Sequence, residues 1–308
     1  MAYFGVFIPN DQPRHEQALM AFAEGLRSLD VSCSIFPIEK GYSPCEVAVT
    51  FGLARTIPAA KCVNSSIVAQ HKSASRTGQH IVVEEGIIHR EHYFTVGWGG
   101  PDGRVNFCNW NCPADRWELL KVRVMPWRNT GKHVLLCGQI PWGSSVQHTD
   151  HAQWCRTTAM QLRYLTSRPI VFRPHPLHRD AIDMRSVDVQ LSTAPSLQED
   201  LYDAWAIVTF NSNAGVEATL AGIPAFVAED SENGDAVLNR RLEEIETPSM
   251  PPRSQWLYNL AYTQWTPTEI ADGKTLKHLH RGVLGSTGKL YQSANRVKET
   301  KPGQRWAG

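Results

Sequence analysis

Short, almost wholly apolar runs, each followed by a stretch with helical spacing, recur in two series along this chain. In the first series, residues 3–9 (YFGVFIP) form a run suited to a buried parallel strand. A polar turn leads into 16–29, where Ala18, Leu19, Phe22, Ala23 and Leu26 fall at helical intervals. Residues 31–38 and 45–52 read as the next strands, 59–72 as a weak helix and 80–88 (HIVVEEGII) as a further strand. The second series starts at His133 with the strand HVLLCGQI, a helix over 150–165 and the strand PIVFRPH. A short strand near 187–191, a helix over 196–204, a strand over 206–210, the turn NSNAG, a helix to Leu220 and a strand over 223–228 follow. Such alternation predicts α/β domains with parallel sheets covered by helices. With 308 residues there is room for two of them.

The expected division is a first nucleotide-binding-like domain over 1–130, a second over 131–253, and C-terminal helices with a basic tail over 254–308 that pack back on the first. The two sheets are expected to face a cleft. Between the series, 97–128 is rich in Gly, Trp, Asn and Pro and reads as a long ordered loop. Residues 254–265 (SQWLYNLAYTQW) read as an aromatic amphipathic helix. A fresh helix start follows, with Thr266 as N-cap, Pro267 at the first helical position and Glu269 at the third.

Charge enters as a distribution. The formal net charge is +1, from 31 Lys and Arg against 30 Asp and Glu. From Lys274 onward there are eight Lys and Arg and one acid, Glu299, so this end carries +7 and the body −6. A basic end on an acidic body suggests an anionic partner. No apolar run approaches the roughly 20 residues that span a bilayer, and the first residues read as a strand, not a signal peptide. The seven scattered cysteines form no disulfide framework and predict a reducing, cytoplasmic setting.

Two segments point to chemistry. At Thr209-Phe-Asn-Ser-Asn-Ala-Gly215-Val-Glu217 a strand ends in a small polar turn that opens a helix, an arrangement that can cradle phosphate. Ser212 and Asn213 would add donors, Gly215 would permit close approach, and Glu217 would accept from ribose hydroxyls; an ordinary helix cap explains the same residues equally well. At Arg173-Pro174-His175-Pro176 two prolines fix the exit from a strand, and Arg and His there suit a diphosphate or carboxylate.

Together these segments resemble glycosyltransferases of the GT-B type, with two Rossmann-like domains, and more narrowly the capsule-polysaccharide synthesis family that includes bacterial Kdo transferases. The resemblance rests on Arg173, His175 and Pro176, on Ser212, Gly215, Glu217, Gly222 and Pro224, and on Glu85-Gly86 and Gln139 with Ser145, within roughly residues 80–230. It implies that Gln139, Ser145, Arg173, His175, Ser212, Asn213, Gly215 and Glu217 bind a nucleotide-sugar donor, UDP-linked, with no cofactor or metal. Gly143 stands where the family pattern has an acid, so Kdo transfer itself does not carry over.

A transferase of this kind often needs a base for the acceptor hydroxyl. Glu85 at a strand end is the first choice, followed by Asp115 and Asp11. For the acceptor, the resemblance implies a glycan at a membrane surface. Bacteriophage DNA-modifying glucosyltransferases share the GT-B architecture, and the basic end, through Lys274, Lys277, Arg281, Lys289 and Arg296 with His278 and His280, tilts the expectation to 5-hydroxymethylpyrimidine in double-stranded DNA, inside a bacterial host cell. A sugar-nucleotide epimerase and an inactive binding module are the readings from other classes.

Overall fold

The computed structural model describes residues 3–9, 12–52, 63–76, 78–99, 105–143, 145–146, 148–228 and 237–284. The chain runs β1 (Phe4–Ile8), α1 (Pro13–Arg27), β2 (Cys33–Pro37), β3 (Val47–Phe51), α2 (Val63–Ala74), β4 (Gln79–Glu85), β5 (Phe94–Gly99) and β6 (Val105–Asn106). Then come α3 (Asp115–Leu120), β7 (His133–Cys137), α4 (His151–Leu165), β8 (Ile170–Arg173), β9 (Gln190–Leu191), α5 (Leu197–Tyr202), β10 (Ala204–Thr209), α6 (Ala214–Leu220) and β11 (Ala225–Val227). The last elements are α7 (Ser254–Ala261), β12 (Gln264–Trp265), α8 (Pro267–Ala271) and α9 (Lys274–Leu284). Two compact units result, one of Met1–Pro113 joined by the chain from Asn259, the other of Ala114–Tyr258.

The first unit holds a seven-stranded sheet in the order β12-β5-β4-β3-β1-β2, with β6 on β5. Its β2, β1, β3 and β4 are parallel, as their continuous apolar runs require. At one edge the parallel expectation is corrected, because β5 returns antiparallel to β4, and β6 and β12 pair antiparallel to β5. Part of the stretch expected to be loop is therefore sheet. Strand alternation splits the core. Val6, Ile8, Val49, Phe51 and Val83 pack with α1, α8 and α9 through Leu19, Phe22, Ile270 and Leu279, while Phe7, Ala48 and Ile67 pack on the other face.

The helix expected over 254–265 ends at Ala261. Gln264 and Trp265 instead add a strand to β5, and the buried Gln264 Oε1 accepts from Ile87 N and Ile88 N at 3.0 and 2.9 Å. The expected cap is present: Thr266 Oγ1 accepts from Glu269 N at 3.3 Å, and Glu269 Oε2 accepts from Thr266 N at 2.9 Å.

The second unit is a five-stranded, wholly parallel sheet in the order β11-β10-β7-β8-β9. Val134 and Leu136 face α4, and Leu135 and Cys137 face α5 and α6. Since β7 comes first, β8 lies on one side of it and β10 on the other. The chain reverses its direction of strand addition between β7 and β10, which is where open α/β sheets bind ligands. Among the described residues, no helix is long and apolar enough to cross a membrane. The six described cysteines are free.

Candidate functional site

The carboxyl ends of β7 and β10 are joined by side chains. Gln139 Nε2 donates to Asn211 Oδ1 at 2.8 Å and to Ser145 Oγ at 3.2 Å, and Gln139 Oε1 accepts from Asn211 N at 3.1 Å. Asn211 Nδ2 donates to the Ser145 carbonyl at 2.8 Å. Behind this bridge, Gln139 N donates to His151 Nε2 at 2.9 Å, so the imidazole is neutral with its proton on Nδ1. Burial pushes the His151 pKa down to about 4. Its ring stacks on Trp154, with centroids 5.3 Å apart, and meets Phe210 edge-on. Sequence reading finds Gln139 and Ser145 but misses Asn211 and His151. Asn211 sits inside the turn NSNAG, and His151 opens α4 with no periodic signal.

The turn after β10 closes largely on itself. Ser212 N donates to Thr209 Oγ1, Ala214 N to Ser212 Oγ, Gly215 N to the Ser212 carbonyl and Glu217 N to the Asn213 carbonyl. These four N–H groups are engaged within the turn, which corrects the picture of a cradle built from them. Asn213 stands at the N-cap position with no side-chain capping bond. The exposed Glu217 accepts from Gln198 Nε2 at 3.0 Å. A Cβ on Gly215 would point at Thr209, Ala225 and Val227, so this glycine packs α6 on the sheet and does not clear space for a ligand.

Gly222 is likewise structural. Its φ is +79°, and a Cβ there would lie 2.0 Å from the Pro126 carbonyl oxygen. Its own carbonyl accepts from Arg128 N at 2.8 Å. Gly222→Ala is expected to lower stability by at least about 2 kcal/mol, read from the urea midpoint, since it adds left-handed strain to a backbone clash.

At the end of β8, Arg173 turns inward. Its Nη1 pairs with Asp200 and donates to the Ala194 carbonyl at 3.1 Å and Ser192 Oγ at 3.5 Å, and the two charged side chains are 11% and 7% exposed. His175 is half-buried between Pro174 and Pro176, and its Nδ1 accepts from Leu177 N at 3.3 Å, which leaves the proton on Nε2. Burial, with the neighbouring His178, pushes its pKa down.

Glu85 is bound by Arg14, whose Nε donates to Oε2 at 2.9 Å. The same guanidinium holds the carbonyls of Arg90, Glu91 and Tyr93 and lies 4.3 Å over Phe94, so the pair fastens the turn between β4 and β5. Asp115 is exposed in the first turn of α3, its Oδ1 accepting from Arg116 N at 2.8 Å. Asp11 lies outside the described residues. In the basic segment, Lys274 and Lys277 are exposed on α9, with Lys274 3.4 Å from Asp272. His278 departs from the expectation of phosphate contact. It is buried, donates through Nε2 to the Phe107 carbonyl at 3.0 Å and packs on Tyr262 and Trp265. The side chain of Arg281 and all of Lys289 and Arg296 lie outside the described residues.

Neither a protein-family model nor a curated protein matches this sequence. Solved structures do. The Thermosulfurimonas dismutans KpsC beta Kdo 2,4 transferase superposes with a TM-score of 0.52 at 15% identity, over 86% of this chain and 92% of that one. The fold is GT-B. The KpsC beta Kdo 2,7 transferase of the same organism gives a TM-score of 0.47 at 13% identity, over 90% of this chain and all of that one. The Methanocaldococcus jannaschii UDP-GlcNAc 2-epimerase, solved with UDP-GlcNAc and UDP, gives 0.31 at 10% identity, over 90% and 99%. In an open α/β sheet such as that of the second unit, ligands bind outside the carboxyl ends of the strands where the order reverses, so the bridged ends of β7 and β10 are the candidate site.

Proposed function

We propose that this chain is a glycosyltransferase that moves a sugar from a UDP-linked donor to a hydroxyl acceptor. The observation that carries the reading is the Gln139–Asn211–Ser145 bridge at the reversal point between β7 and β10. The segments that follow the neighbouring strands β8, β7 and β10 carry groups suited to a leaving diphosphate: the Nε2 proton of His175, the Asn213 amide and the Ser145 and Ser212 hydroxyls. Arg173 acts one step back, anchoring the strand end that presents His175. These donors support transfer without a metal, for which the check is full activity in chelator. For the acceptor base we place Asp115 ahead of Glu85, because Asp115 is exposed and Glu85 is fastened to Arg14.

A glycan is the acceptor we favour. The DNA reading draws on the charge of residues 274–308 and on exposed Lys274 and Lys277, but burial of His278 removes one of its supports. Binding of hydroxymethylcytosine duplex that weakens steeply with salt would restore it. The primary test is incubation with a panel of nucleotide sugars, each with an oligosaccharide or the duplex, read by mass spectrometry. Transfer to the oligosaccharide is expected. Conversion of the donor alone to an epimer would replace transferase by epimerase, and no turnover or binding of any nucleotide sugar would reject an enzyme. Gln139→Ala and Asn211→Ala are each expected to cut kcat/KM about 10- to 100-fold, since each removes the side-chain bond that ties the end of β7 to the turn after β10.

A further inference from the structure

We propose that residues 105–113, at the end of the first unit's leading segment, form a docking platform for a neutral saccharide ring, with the Trp110 indole as its stacking face. The inference deepens the glycosyltransferase reading and rests on it for the platform's place in catalysis. The sequence here is VNFCNWNCP, nine residues without a charged side chain and with three asparagines. Cys108 and Asn111 both adopt left-handed conformations, each with φ of 53°, so the chain turns sharply on either side of Asn109 and Trp110.

The turn is held from below. Asn106 Oδ1 accepts from Cys108 N at 2.9 Å, and the Phe107 carbonyl accepts from His278 Nε2 at 3.0 Å. Asn109 Nδ2 donates to the Asn259 carbonyl at 2.9 Å, and Cys112 N donates to Asn259 Oδ1 at 3.1 Å. Phe107, Cys108 and Cys112 are buried, yet Trp110 between them is 59% exposed, beside the exposed Asn111.

The bonds on either side hold the backbone so that this indole stands in water between buried neighbours. It offers a flat face on a two-torsion side chain, which loses little freedom on binding. The C–H face of a pyranose fits such a surface, and amides at its rim exchange hydrogen bonds with hydroxyls. Duplex DNA would call for Lys or Arg beside the ring to meet its phosphates, and the loop has none.

The test titrates cellopentaose, maltopentaose, chitopentaose and a 20-base-pair hydroxymethylcytosine duplex into the whole chain and into Trp110→Ala and Trp110→Phe, by calorimetry. At least one oligosaccharide is expected to bind the unaltered chain. Trp110→Ala should weaken that binding about tenfold or more, and Trp110→Phe by only about threefold. The unfolding midpoint and UDP binding of both variants should stay unchanged. The platform is overturned if none of the three oligosaccharides binds, or if Trp110→Ala binds them as tightly as the unaltered chain. It is equally overturned if the substitution weakens only the duplex, which would assign Trp110 to DNA. Failure of the unaltered chain to bind UDP would reject the donor reading and leave the saccharide result standing by itself.

Discussion

Asp200→Ala is expected to lower the stability of the chain by about 3–5 kcal/mol, read as a shift of the urea midpoint at unchanged slope. Asp200 is 7% exposed and accepts from Ser192 Oγ at 2.8 and 2.6 Å through its two oxygens, besides pairing with Arg173. Removing the carboxylate strands an 11% exposed guanidinium, whose remaining partners are the Ser192 hydroxyl and the Ala194 carbonyl. An uncompensated buried charge costs more than the pair contributes when intact. The double variant Arg173→Met with Asp200→Leu should therefore recover most of the loss, a coupling that a double-mutant cycle measures directly. Equal losses in the single and double variants would show that the charge pair is not the cause. The same experiment bears on function, because an Arg173 that served the donor directly would take UDP binding with it even in a stable double variant.

Acid should destabilise the chain steeply between about pH 6.5 and pH 4. His80 in β4 and His151 at the start of α4 are buried, and burial holds both pKa values down to about 4 from 6.5. For His80, the charges of Lys72 and His71 add to the effect, and neither ring nitrogen has a hydrogen-bond partner among the described residues. The folded pKa lies below the unfolded one, so the unfolded chain binds the extra protons. Stability is therefore complete above about pH 6.5 and is lost as pH falls toward 4, by about 3 kcal/mol for each histidine. His80→Leu should roughly halve the pH dependence between 7.5 and 4.5. At pH 7.5 it should cost little, since it replaces an unpartnered buried polar ring with an apolar side chain. An unchanged pH slope in this variant would place the acid sensitivity elsewhere. His151 differs in consequence, because protonating it removes the acceptor for Gln139 N. Donor binding should fall with stability in the unaltered chain, whereas His80→Leu should leave donor affinity at neutral pH intact.

What the sequence determined by itself is what short-range physics determines. Unbroken apolar runs such as VAVTF and HVLLC have no polar face to show to water, so they belong inside helix-covered parallel sheets, and both are found there. Thr266, Pro267 and Glu269 form their cap within one turn of chain, with all its partners within three residues. Gln139, Ser145 and the turn around Ser212 stand out in the sequence because strand ends and polar turns are local events. Tertiary structure alone decided which side chains meet. Gln264 and Trp265 became an edge strand because β5, about 170 residues earlier in the chain, offered an unpaired backbone edge and a dry space for the indole. The ion pairs of Arg173 with Asp200 and of Glu85 with Arg14 join residues far apart in the chain, which no local pattern announces. His278, one of a run of basic residues in sequence, faces inward on α9 because helical spacing puts it on the same side as Thr275 and Leu279, both buried. Composition and spacing say that a charge or an imidazole is present; only the packed chain says whether water, a ligand or another residue satisfies it.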